Sequence, residues 1–270
     1  MAPLLSTLIK KYSVSYASFH SFLFNPSIFS LTQINENSCH DSQIQSCDVP
    51  GIAFVCGKRE NGPFCDISLE QAAVARGYFL VDEDLGSPNL PLYDAAKNLC
   101  KIHCGKYDFI NPEIFRAGQS HQSIVLNIFG GSCLSKGFTN QKQIVCLVNL
   151  LNKFYENLCF TVPVLPNQRH LVPCTQQNNS PVKFCYFDYA DHQLTELVAG
   201  APAIITVEGG ILHLAVAYGK PTFCLIEPEW FDKVSDLLPP FNSYKIKFLN
   251  FEEIDFNILL EYLKGCFKNL

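Results

Sequence analysis

From Ser123 onward the chain sorts its hydrophobic positions into two alternating patterns. Short runs rich in β-branched and aromatic residues occupy 123–129, 158–164, 203–207 and 222–226. Between them, 139–156, 191–199 and 210–218 repeat apolar residues at intervals of three and four, which predicts helices. The runs show little polar alternation, so they read as strands buried on both faces, and parallel strands of that kind need helical crossovers. A doubly wound parallel α/β sheet is therefore expected in this half, closed by an amphipathic helix within 251–267.

The first half is patterned less regularly. Helical spacing marks 4–12, 68–78 (with Ser68 as its cap) and 93–104, the last after the breaks at Pro88 and Pro91. Residues 14–24 suit a strand or an irregular aromatic segment, and 51–56 a short strand. Residues 31–49 are polar and rich in Ser, Asn and Gln, the composition of a loop or a weakly formed helix. Asn111-Pro112 and residues 117–120 read as a linker, dividing the chain into 1–118 and 119–270.

Composition narrows the classes. With 270 residues, 48% of them hydrophobic and 17% charged, the chain has ample material for a core. A net charge of −5 supplies no positive field for sequence-independent nucleic-acid binding or for an anionic membrane. The 13 cysteines are an odd number scattered from Cys39 to Cys266, which fits reduced, buried thiols rather than a disulfide framework. Cys100, His103 and Cys104 share a region, but two or three ligands fall short of the four a structural zinc needs, and no metal is expected. No apolar run reaches the length of a membrane-spanning helix, and Lys10 and Lys11 follow the first apolar stretch instead of preceding it. The expected location is the cytoplasm.

Two turns carry the candidate chemistry. In Gly130-Gly-Ser-Cys-Leu-Ser-Lys136 a strand runs into paired glycines, hydroxyls and a lysine. Glycines let a phosphate approach the backbone, Ser132 and Ser135 can donate to it, and Lys136 adds a point charge; an ordinary strand-to-helix turn has the same outline. In the second turn Glu208 ends a strand, Gly209 and Gly210 follow, and His213 lies in the first turns of a helix. A carboxylate there binds sugar hydroxyls and an imidazole donates to phosphate, while the plainer alternative is a dipole-complementing acid beside a half-buried histidine. Both turns follow parallel strands, so both belong to the carboxyl edge of one sheet, where a nucleotide could bridge them.

In order and spacing these two turns resemble the C-terminal half of glycosyltransferase family 9, the lipopolysaccharide heptosyltransferases. The carrying motifs are Gly130 to Lys136 and the run Glu208-Gly-Gly-Ile-Leu-His-Leu-Ala-Val-Ala-Tyr-Gly-Lys-Pro221, and the likeness covers about residues 123–230. The resemblance implies a GT-B architecture, two Rossmann-like doubly wound parallel sheets with the N-terminal one reduced. It implies a C-terminal domain that holds a nucleotide-diphosphate sugar of the ADP-heptose kind, and an N-terminal domain that faces a saccharide or glycolipid acceptor. Gly130, Gly131, Ser132 and Lys136 would then meet the donor diphosphate, Glu208 and Gly209 the donor sugar, and Gly210 and His213 the phosphate end. Transfer in such a family is inverting and uses neither metal nor cofactor, on the inner face of a membrane to which the protein is at most peripheral.

Three positions depart from the family pattern. Glu208 stands where an aspartate is usual, Gly209 where a serine or threonine is usual, and 2–12 looks like the family's first helix, which normally follows a strand and a Gly-Asp loop. The catalytic base is thereby left unassigned among acids such as Asp66, Asp82, Glu83 and Asp84. A catalytically degenerate nucleotide-sugar-binding or protein-interaction module of the same fold is the alternative. A shortened N-terminal sheet would present an unpaired edge that a second copy of the chain can cover.

Overall fold

The computed structural model describes residues 15–18, 25–28, 30–33, 52–56, 79–83, 113 and 115–267, the last with gaps at 131–136, 156, 174–179, 189–190 and 236–237. The chain divides into two compact units, Met1–Ile114 and Phe115–Leu270. In the first, strand β1 (Ser15–Ser18) pairs in parallel with β2 (Ser30–Gln33), and β3 (Ile52–Cys56) pairs in parallel with β4 (Phe79–Glu83). β2 thus occupies the start of the polar stretch read from the sequence as a loop or weak helix. Asn25 closes the turn between the first two strands, its side chain accepting from the Ser27 N–H at 3.0 Å and donating to the Glu113 carbonyl at 3.3 Å. The expected helices at 4–12, 68–78 and 93–104, with Cys100, His103 and Cys104, lie outside the described residues.

The second unit is the doubly wound sheet. Its elements run β5 (Ser123–Asn127), α1 (Gln141–Phe154), β6 (Cys159–Val164), a 3₁₀ turn (Pro166–Leu171), β7 (Val182–Tyr186), α2 (His192–Gly200), β8 (Ile204–Val207), α3 (Gly210–Ala217), β9 (Thr222–Ile226), α4 (Pro228–Val234), β10 (Lys245–Phe248) and α5 (Phe256–Phe267). All five pairings are parallel, in the spatial order β10-β9-β8-β5-β6-β7. Counted along the chain, that is the 3-2-1-4-5-6 order of a dinucleotide-binding sheet, with its reversal between β5 and β8.

Alternation along the central strands feeds two cores. Ile124, Leu126, Ile205, Val207, Phe223 and Leu225 face α1 and α5, meeting Ile144, Leu147, Leu151, Leu259 and Leu263. Cys224 and Ile226 project to the other face, against Leu212 of α3 and Val234 of α4. The all-parallel sheet is thereby covered on both sides, as its unbroken apolar strands require.

Local chemistry sets the helix ends. Asn140 caps α1 by accepting from the Gln143 N–H at 3.0 Å, and Asp191 caps α2 by accepting from the Gln193 N–H at 2.8 Å. Asp255 caps α5 by accepting from the Asn257 and Ile258 N–H groups, so this helix begins at Phe256 and not at 251. α3 is closed off after Ala217 by Gly219, whose φ of 65° lets the Lys220 N–H return to the Ala215 carbonyl at 3.0 Å.

The segment that enters the sheet, 115–121, is bound closely to α2 and α3. The Tyr218 hydroxyl donates to the Arg116 carbonyl, and the Tyr218 ring meets Phe115 at a centroid distance of 5.4 Å. His121 accepts at Nδ1 from the Ser123 N–H (3.2 Å), so its proton sits on Nε2, which donates to the Leu197 carbonyl (3.0 Å). A Cβ on Gly118 would lie 2.0 Å from the Glu196 carbonyl oxygen, an approach only glycine permits. Among the described residues no helix is long and apolar enough to cross a membrane.

Candidate functional site

The reversal of strand order puts the carboxyl ends of β5 and β8 side by side, with Val125, Leu126 and Asn127 in register with Ile204, Ile205 and Thr206. Gly130 follows Asn127 by three residues, and Glu208, Gly209 and Gly210 follow β8 directly. The two glycine turns singled out in the sequence therefore leave neighbouring strands at one edge, where open α/β sheets bind ligands. Gly131, Ser132 and Lys136 lie outside the described residues; the points between which they run do not. The Phe138 N–H donates to the Ile128 carbonyl at 2.9 Å, and Gly137 packs against the Gly130 backbone so closely that a Cβ would stand 2.7 Å from its nitrogen. The first turn thus departs and returns at a single point.

The second turn is built for backbone exposure. Gly209 has φ 141° and ψ −170°, a region that side chains avoid, and it precedes α3 without any side-chain cap. The first turn of α3 carries no acidic residue, and neither does that of α1. N–H groups and dipole at the start of α3 are accordingly presented to the crevice with no carboxylate of their own helix across them.

Electrostatics distinguish the two polar residues of this turn. Burial raises the half-buried Glu208 carboxyl above the ordinary range. The Cys224 thiol is pushed up to about 12, first by burial and then by the charge of Glu208. Burial lowers His213 to about 4 from the ordinary 6.5, so near neutral pH it is an uncharged imidazole that can offer one N–H.

That shift has a measurable sign. Above pH 6.5 His213 is neutral in folded and unfolded chains alike; between 6.5 and about 4 the unfolded chain takes up a proton that the folded chain refuses, so stability is lost as the pH falls through this window. Glu208 acts in the opposite sense, contributing stability below the ordinary carboxylate value that is lost as pH rises through its raised one. His213→Gln should accordingly lose less melting temperature than the unaltered chain on going from neutral pH to about 4.5. Equal losses in thermal melts of the two proteins would show that the imidazole is solvated.

Three further residues at this edge were not apparent in the sequence. Asn127 donates through Nδ2 to the Thr206 hydroxyl at 2.9 Å, and that hydroxyl donates to the Val207 carbonyl at 2.7 Å. Gln168, in the 3₁₀ turn after β6, accepts from the Leu165 N–H at 2.9 Å and donates to the Gly130 carbonyl at 3.4 Å, tying the next strand's exit to the first glycine turn. Between this turn and Phe129, Gly130, Gly137 and Phe138 lies a cleft of about 290 Å³, with His170 and Thr139 on its walls. The available signal was a polar residue at the end of an otherwise apolar strand, as at Asn127 and Thr206.

A six-stranded parallel sheet of this order, with glycine turns at its reversal, is a Rossmann-like doubly wound α/β sheet. Within that class, solved structures give the fold: it is that of the GT-B glycosyltransferases, and specifically heptosyltransferase-like, of family 9 type. A family 9 glycosyltransferase from Veillonella parvula superposes with a TM-score of 0.59, at 12% identity, over 98% of this chain and 86% of that one. The E. coli heptosyltransferase WaaC with ADP-2-deoxy-2-fluoro heptose gives 0.51 at 10% identity, over 97% and 75%. WaaC with ADP gives 0.52 at 11% identity over 73% of this chain, which spans 62% of that enzyme's length, less than two thirds. Neither a protein-family model nor a curated protein sequence matches the chain.

Proposed function

We propose that this chain transfers a sugar from a nucleotide-diphosphate donor of the ADP-heptose kind to a saccharide or glycolipid acceptor, of the sort found in lipopolysaccharide, at the cytoplasmic face of a membrane. The observation that carries the reading is the meeting of two glycine turns at the β5/β8 reversal of a GT-B fold. In this reading Gly130, Gly131, Ser132 and Lys136 hold the diphosphate, Glu208 and Gly209 face the donor sugar, and Gly210 with neutral His213 lines the phosphate end. Donated N–H groups and the Lys136 charge stabilise the departing diphosphate as the acceptor hydroxyl attacks the anomeric carbon and a carboxylate takes its proton. The first unit supplies the acceptor side.

One observation favours a second reading, binding without transfer. Gly209 offers no hydroxyl, and its φ of 141° suits glycine alone. Two measurements on the full chain test the pair of readings. Titration calorimetry with ADP and with ADP-heptose should show binding, accompanied by a rise in melting temperature; at a hundred times Kd the stabilisation is about 2.7 kcal/mol. Release of ADP from ADP-heptose in the presence of a lipopolysaccharide-core acceptor should follow. Binding with no release would establish the binding module, and absence of binding to either ligand would dismiss both readings.

A further inference from the structure

We infer that Asn127 reads a hydroxyl of the bound nucleotide sugar, its carboxamide held in place by Thr206; this rests on the donor-binding reading above. Asn127 ends an apolar strand and Thr206 is the last residue but one of another; they are 8% and 0% exposed and are register partners on the two strands flanking the reversal. A polar pair buried so deeply in a parallel sheet costs stability unless it is satisfied, so its presence there calls for a reason.

The orientation follows from counting protons. Thr206 has one hydroxyl hydrogen, and it goes to the Val207 carbonyl at 2.7 Å. Towards Asn127, 2.9 Å away, the hydroxyl can only accept, so the carboxamide must present its nitrogen to Thr206 and turn its oxygen away. Among the described residues that oxygen accepts no hydrogen bond, yet it is not one of the sealed, unpartnered polar atoms of the structure. Among the described residues it is an acceptor left open at the carboxyl edge, on the strand next to the one that leads into Glu208.

Position limits what it can meet. By strand alternation Asn127 shares its sheet face with Thr206 and Cys224, and Cys224 packs against Leu212 of α3. The open oxygen therefore belongs to the same side of the edge as Glu208 and the exposed start of α3. A neutral acceptor there repels phosphate oxygens and suits a hydroxyl. Two hydroxyl sources exist in such a ligand, the ribose and the transferred sugar, and the chemistry is the same for both.

The test compares Asn127→Leu, Thr206→Val and Thr206→Ser in the full chain, by calorimetry with ADP and with ADP-heptose. Asn127→Leu should raise Kd about tenfold, since a buried partner removed from a neutral hydrogen bond is worth roughly that factor. Thr206→Val should do the same by releasing the carboxamide, Thr206→Ser should restore affinity to within about twofold, and the double variant should be no worse than either single one. A purely structural pair would lower melting temperature without changing Kd of the folded protein. A penalty on both ligands assigns the ribose, and a penalty on ADP-heptose alone assigns the transferred sugar; either supports the inference. Unchanged Kd for Asn127→Leu, with the unaltered chain binding normally, overturns the inference and leaves the donor-binding reading standing. If the unaltered chain binds neither ligand, both fall. Should Asn127→Leu fail to fold, Thr206→Val against Thr206→Ser decides alone.

Discussion

Replacing Lys136 with Ala is expected to weaken binding of ADP by about 10- to 100-fold, the loss that follows from removing one charge-assisted contact of about 1.5–3 kcal/mol to a phosphate. Neither helix that leaves the crevice has an acidic residue in its first turn, His213 is uncharged, and the backbone donors around Gly209 carry only partial charges. In the proposed arrangement Lys136 supplies the full positive charge against the phosphates. Affinity should therefore fall more steeply with salt in the unaltered chain than in Lys136→Ala, because only the former pairs a lysine with the diphosphate. Lys136→Arg should keep the salt dependence while losing part of the affinity, since the guanidinium fork differs in reach from an ammonium. Equal Kd values for the unaltered chain and Lys136→Ala would remove this residue from the diphosphate.

Gly137→Ala should be the most damaging single methyl group at the site, costing about 3 kcal/mol of stability or more and abolishing donor binding with it. The added carbon would stand 2.4 Å from the Ile128 carbonyl oxygen and 2.7 Å from the Gly130 nitrogen, both main-chain atoms with no rotamer to escape into. The same Ile128 carbonyl receives the Phe138 N–H, so relief by shifting this strand end breaks the hydrogen bond that closes the turn. Gly210→Ala is the matched control, because an added methyl there meets nothing within 4 Å. Chemical denaturation of the two variants checks the contrast; similar midpoints would mean that the first turn is not closed as described.

Much of the second unit could be read from its sequence because its central strands are covered on both faces. Ile204–Val207 and Thr222–Ile226 are buried throughout, and burial on both sides imposes the unbroken apolar runs that identify them. The edge strands escaped notice for the complementary reason. Val182–Tyr186 and Lys245–Phe248 carry exposed lysines, and apart from buried Val182 their apolar and aromatic residues are half-buried or exposed, so their pattern merges with that of the loops. α4 is a helix of 7 residues begun by Pro228, and Trp230 and Phe231 on it pack against the inner cluster of Val234 and Leu238. Residues 128 and 129 read as strand because they are buried, yet the ladder ends at Asn127, where the chain bends towards Gly130.

At the site, the glycine turn after β8 was legible and its adjacency to the end of β5 was only implied. A strand-to-helix turn announces itself locally, but β8 lies next to β5 because the chain reverses its winding direction, which no residue near either turn encodes. Gln168 and Gly137 were illegible for a related reason. Their roles depend on the distance to Gly130, across the width of one strand, and polar or small residues in a turn have many other uses.

That adjacency has a bearing on how the chain assembles its crevice. The hydrogen bond from Asn127 to Thr206 spans 79 residues, whereas the β5–β6 and β8–β9 pairings join elements that follow one another closely in the chain. Joining the halves β5-β6-β7 and β8-β9-β10 is the contact of highest sequence separation in the sheet, the kind whose closure entropy slows folding most. A form with both halves paired but not yet joined would show much of the final secondary structure and have no crevice. If the chain binds a nucleotide sugar as proposed, gain of that affinity during refolding would trail the recovery of helix and strand signal, making the ligand a reporter of the last seam to close.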